Sequence, residues 1–148
     1  MAEFRWTDRE FMERVVVPSA QAGLVVAAEV LAARMILNMG SEGGGVVGKT
    51  STGRNIYAPS PPGAFPGVRR GGGGGLTSAI GYTPPEGLTI SVGADSRAPH
   101  GYFLEVGTST MAARPWAMRS FRESAPALNK AFRAGMRAEF TRRVGGRL

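Results

Sequence analysis

Residues Gly43-Gly44-Gly45-Val46-Val47-Gly48-Lys49-Thr50 match, letter for letter, the glycine-rich phosphate-binding pattern of nucleotide hydrolases. Such a loop turns backbone amides and a lysine toward phosphates. It does so only when a buried strand precedes it and a helix follows it. Here a helical stretch precedes the motif, and residues 51–63 hold two Gly and three Pro, which opposes a helix. No following strand ends in an aspartate suited to magnesium; residues 88–95, ending at Asp95, are a poor candidate. A parallel nucleotide-binding sheet also does not fit in this chain. The motif is therefore read as a glycine-rich loop.

The remaining reactive residues form no catalytic pattern. Asp95 and His100 lie near each other in sequence, but no nucleophile elbow accompanies them. His100 is the single histidine and there is no cysteine, which excludes disulfides, thiolate sites and multi-histidine metal sites. His100 is read as structural or solvated. No catalytic residue, metal or cofactor is expected, and the chain reads as a non-enzyme.

The elements around these residues begin with a helix. Thr7-Asp8-Arg9-Glu10 fits a capping box, with Trp6 and Phe11 placed as a hydrophobic staple. Pro18 should kink this helix, or end it with a restart near Ser19. Residues 21–39 are strongly helical: Leu24, Ala27, Ala28, Leu31, Met35 and Asn38 keep helical spacing, and Val25, Val26, Val30 and Ile36 add apolar surface elsewhere on the cylinder. Gly40 is a suitable stop.

Residues 40–75 hold Gly43-Gly44-Gly45, Pro59, Pro61-Pro62, Pro66 and a glycine run at 71–75, and read as an irregular arm that orders against neighbours in an assembly. Alternation predicts strands at 76–82, 88–93 and 102–107, with a hairpin loop over 83–87. A final helical region presents Met118, Phe121, Ala125, Leu128, Phe132, Met136 and Phe140 as one stripe. Pro126 is expected to split it, with Ser124 capping the second piece and Gly145-Gly146 ending it.

The expected fold is α+β. A long N-terminal helix and a C-terminal helix pack on a small antiparallel sheet, with a long Gly/Pro-rich loop. The 148 residues read as one domain: a helical region 1–39, an arm 40–75, a sheet 76–110 and a basic helical region 111–148. So many glycines and prolines leave a small core, and oligomerisation is one way to bury more surface.

Charge is unevenly spread. Residues 1–110 carry nine Lys/Arg and nine Asp/Glu, whereas residues 111–148 carry nine basic and two acidic residues, so the net +7 sits in the last quarter. Such a block faces polyanion, an acidic partner or simply solvent. Glu3, Asp8 and Glu10 stand where a secretory signal would be basic, and the apolar run 23–37 contains Glu29 and Arg34 and is short for a bilayer. A soluble protein is expected.

The most specific stretch is Tyr102-Phe103-Leu104-Glu105-Val106-Gly107-Thr108-Ser109, followed by Met111-Ala112-Ala113-Arg114-Pro115-Trp116. It resembles the signature of the tailed-bacteriophage tail-completion, or head–tail joining, family. Glu105, Gly107, Thr108, Ser109, Ala113, Arg114, Pro115 and Trp116 carry the match, with matching spacing. Upstream, Pro62-Gly63 through Pro66-Gly67, Arg69-Arg70 and a Gly before residues 76–80 resemble the family's Pro-Gly segment. The five-glycine run and a missing Thr-Gly-Arg-Leu depart from it. The resemblance spans residues 60–125; the first helix agrees only in type.

Each matched residue also has a physical reading. Gly107 allows close approach or positive φ after a strand, and Thr108 and Ser109 turn the chain. Arg114 is placed to pair with Glu105. Pro115 suits a first helical turn, and Trp116 is a core anchor.

The resemblance implies a virion protein of the neck or upper tail, made in the host cytoplasm. It implies a self-assembled six-fold ring beside connector or stopper, terminator or tail-tube proteins, with transient contact to passing double-stranded DNA; no membrane contact is expected from the residues. Arg133, Arg137, Arg142 and Arg143 are the candidate contacts to DNA or an acidic partner. Tail terminator, head-side connector and small basic DNA-binding protein are the alternatives.

Overall fold

A computed structural model describes residues 7–42, 46–67 and 75–145, excluding the Tyr57 side chain. Trp6, Gly43-Gly44-Gly45, Arg69-Arg70, four glycines of the run at 71–74 and Gly146 lie outside the described residues. The fold is α+β. Helix α1 (Asp8–Phe11) leads through a π-helical turn (Met12–Val16) into α2 (Val17–Asn38). Inside the stretch 40–75, expected to be irregular, the chain instead forms an antiparallel hairpin, β1 (Val46–Lys49) and β2 (Asn55–Tyr57). Then come α3 (Leu76–Ala79), β3 (Ile80–Tyr82), β4 (Val92–Ala94), α4 (His100–Val106) and α5 (Ala117–Gly145).

The capping box forms as expected: the Glu10 amide donates to Thr7 Oγ1 at 3.3 Å, and the Thr7 amide donates to Glu10 Oε2 at 3.2 Å. Pro18 neither ends nor restarts the helix. The chain widens into the π turn just before it, where the Val17 amide reaches back to Met12 O. Pro18 has no N–H for Arg14 O, its α-helical acceptor. Arg143 Nη1 donates to that carbonyl at 2.9 Å, and Ser19 Oγ takes Val15 O at 2.6 Å. Two side chains thus satisfy carbonyls around the proline. Gly40 ends α2 at φ 76°.

The uninterrupted run 8–38 is longer than the apolar segment read from sequence. By length and composition alone it is long and apolar enough to cross a membrane. A core helix passes the same test, and Val15, Ser19, Ala28, Leu31, Ala32 and Met35 on this run are buried within the protein.

Three further sequence expectations are corrected. Residues 102–106 form part of helix α4, not a strand. Seven residues are too few for alternation to discriminate, and the deciding signals are terminal: Pro99 at its start and Gly107 at φ 79° after it. Residues 76–79 make a helical turn before the short β3, and β4 begins only at Val92, because a tight turn bridging Glu86 and Thr89 occupies the earlier residues. Pro126 does not split α5, and Ser124 is buried inside that helix instead of capping it. The Pro126 ring lies on the exposed side, so only one ladder bond is lost. Each sheet has two strands: β1 pairs with β2, antiparallel, and β3 with β4.

The chain divides into two compact units. The first comprises residues 1–30, 82–91 and 125–148. In it α2 meets α5 through glycines: a Cβ on Gly23 would lie 2.6 Å from Phe132 O, and one on Gly135 would lie 2.8 Å from Val26 Cγ2. Phe11 meets Phe140 edge-on at 6.2 Å, and Tyr82 Oη donates to Glu29 Oε1 at 3.0 Å. The second unit comprises residues 31–81 and 92–124 and holds most of the buried side chains, including Met35, Phe65, Leu76, Ala79, Ala98 and Trp116.

Candidate functional site

The resembling stretch folds into one braced corner of the second unit. Helix α4 delivers Glu105 to the start of α5, whose first amides have no partner within the helix. The Glu105 carboxylate accepts from the Trp116 amide at 2.7 Å, from Ala117 at 2.9 Å and from Met118 at 3.0 Å. A carboxylate here also meets the positive end of the helix dipole. The expected Glu105–Arg114 pair does not form, because three amides occupy the carboxylate. Arg114 Nε instead donates to Ser60 O at 2.8 Å and Nη1 to Ala112 O at 3.3 Å, while the Arg114 amide donates to Leu104 O at 2.7 Å.

The other matched residues complete the corner. Gly107 has the expected positive φ, but after a helix and not a strand. A Cβ there would lie 2.9 Å from both Ala113 N and Met111 O, so this glycine also permits a close approach. Thr108 Oγ1 accepts from the amides of Thr110 and Met111, turning the exposed segment that includes Ser109. Pro115 precedes α5 and so lies outside its first turn. Trp116 is 4% exposed, a core anchor as expected, and its Nε1 donates to Gly101 O at 2.9 Å.

A neighbouring cluster escaped the sequence reading. Arg119 donates to both oxygens of Glu42 at 2.8 Å and to Glu123 at 2.8 Å, and its guanidinium stacks 4.1 Å from the Phe65 ring centroid. Glu42 Oε2 also accepts from the Phe65 amide at 2.9 Å. The Arg119 bonds, then the Phe65 amide, hold the Glu42 carboxyl below its usual range, and Glu42 and Glu123 raise Arg119. Only the i,i+4 partner Glu123 was legible; the Glu42 partner lies 77 positions away.

The start of α5 buries polar side chains and exposes apolar ones. Ser120 is fully buried, its hydroxyl accepting from Asn38 Nδ2 at 3.0 Å, whereas Met118 and Phe121 stay about half exposed at 50% and 49%. On α4, Tyr102, Phe103 and Val106 are exposed. The β1–β2 hairpin exposes Val46, Val47 and Ile56. In this hairpin Lys49 lies on β1 and is followed by a turn, so residues 46–57 lack the strand–loop–helix geometry of a phosphate loop.

The candidate basic contacts separate into two pairs. Arg142 and Arg143 are taken by Glu139, each at 2.6 Å, and Arg143 also holds Arg14 O. These arginines, Arg142 foremost, lower the Glu139 carboxyl to about 2. Arg133 and Arg137 are exposed and, among the described residues, unpaired. With Lys130 they line a shallow open groove beside Pro126, Asn129 and Ala134. Asp95 is bound by Arg97 at 2.6 Å, and His100 is exposed at the start of α4. Among the described residues no acidic or histidine cluster is arranged to hold a metal. No protein-family model, characterised protein or solved structure matches the chain.

Proposed function

We propose that this chain is a structural subunit of a long-tailed bacteriophage, forming a ring at the head–tail junction or upper tail through which DNA passes. The observation that carries the assembly is the inverted face of α5, with buried serines on one side and exposed Met118 and Phe121 on the other. Tyr102, Phe103 and Val106 on α4 are exposed as well, and large apolar side chains left outside support a protein-binding role. The phage setting rests on the residues of the signature, Glu105 through Trp116, whose roles here are architectural. A ring needs a head-to-tail interface whose rotation closes, and the exposed hairpin and the α4–α5 surface are two different apolar patches on one unit, as such an interface requires.

Negative-stain microscopy of a lysate lacking this gene product tests the reading. Filled heads beside separate tails of normal length are expected. Tails of uncontrolled length would make the protein a terminator, and intact infectious particles would refute the structural role. The unpaired cations of α5 favour, as a second reading, a small basic DNA-binding protein that acts free of any virion.

A further inference from the structure

We propose that the groove formed by Lys130, Arg133 and Arg137 on α5 is a binding site for the phosphate backbone of double-stranded DNA. The inference deepens the proposed DNA-passing role and rests on it only for its biological setting.

The three cations share one side of the helix, at spacings of three and four residues, and line an open groove with Asn129. None has an ion-pair partner among the described residues, although two arginines one turn further along compete for Glu139. No Asp or Glu occurs from residue 124 to residue 138, so nothing on this part of α5 neutralises them. Guanidinium groups match phosphate oxygens in pairs, and an asparagine amide can donate beside them.

The lining also decides between classes of partner. Apart from the cations and Asn129 it contains only Pro126 and Ala134. A protein interface draws its affinity from aromatic or large aliphatic anchors, and this groove has none. The anchors of this chain lie elsewhere, on α4, the start of α5 and the hairpin. A surface of exposed cations without anchors suits a uniform polyanion, bound weakly and without sequence preference, as a passing duplex requires.

The test is fluorescence anisotropy of a short labelled duplex titrated with the full chain over a salt series. Three phosphate contacts contribute about 2.7 to the slope of log affinity against log salt. The triple variant K130Q/R133Q/R137Q should lose about that much slope and bind about tenfold or more weakly at low salt, with an unchanged melting temperature. The variant R9Q/K49Q/R54Q removes equal charge elsewhere and should keep the wild-type slope. The proposal is overturned if wild-type protein does not bind the duplex, if both variants lose slope equally, or if poly-glutamate competes better than unlabelled duplex, which would mark an acidic protein as the partner. These results are independent of the lysate microscopy: intact particles there would remove the neck role without altering the binding curve, and an absent slope change would remove the groove site without altering the neck role.

Discussion

Gly135 of α5 lies against Gly23 of α2, so closely that a Cβ on Gly135 would come within 3.1 Å of the Gly23 Cα. Two helices can touch at this depth only where both lack side chains. In an exposed helix either glycine would cost about 1 kcal/mol relative to alanine. Here the sign reverses. Gly23→Ala would press a methyl onto Phe132 O at 2.6 Å, a backbone atom that cannot rotate away. Overpacking of this kind costs about 1–3 kcal/mol. The substitution should lower the denaturation midpoint, measured by circular dichroism in urea; a higher midpoint would mean the helices separate without cost.

Glu105→Ala should destabilise the fold by about 1–3 kcal/mol, because it strips three amides at the start of α5, those of Trp116, Ala117 and Met118, of a charged acceptor. Glu105→Gln keeps an acceptor but not the charge and should fall between. Equal losses for both would assign the role to charge alone. An unchanged melting temperature with lost assembly would instead make Glu105 an interface residue.

Acid should weaken the contact between Glu139 and its two arginines. The folded carboxyl sits at about 2 against an ordinary 4.5, so the unfolded chain binds more protons between those values. Its contribution is present above pH 4.5 and is lost as pH falls toward 2. Glu42 is lowered too, chiefly by Arg119, and acts in the same direction. Glu139→Gln should flatten, without abolishing, the fall in stability across this window. An identical pH profile for the variant would show that the arginines do not hold the carboxylate in solution.

Val47 is 65% exposed on the hairpin and Phe121 49% exposed on α5. If these surfaces join copies of the chain, Val47→Asp and Phe121→Asp should each shift the mass seen by light scattering toward monomer. Stability should change by no more than about 0.5 kcal/mol, the usual range for surface positions. Full-size oligomers from both variants would place the subunit contact elsewhere.

Local chemistry determined the parts of this protein that depend on near neighbours in the chain. The capping box at Thr7 and Glu10, the long helices, the stop at Gly40, the positive φ of Gly107 and the α+β class all follow from spacing and backbone sterics. Tertiary contacts decided the rest. Residues 102–106 alternate like a strand, yet form a helix that carries Glu105 to the amides of α5 and buries Gly101 against Trp116 and Leu76. The apolar stripe read along α5 holds at Leu128, but at the start of the helix the chain buries Ser120 and Ser124 and leaves Met118 and Phe121 outside. Pairings such as Arg119 with Glu42 and Arg143 with Arg14 O leave no periodic trace, because they join positions 77 and 129 residues apart. Periodicity ranks the faces of one helix by hydrophobicity alone. Which face is covered depends on hydrogen bonds and close approaches from distant segments, and those exist only once the chain has folded.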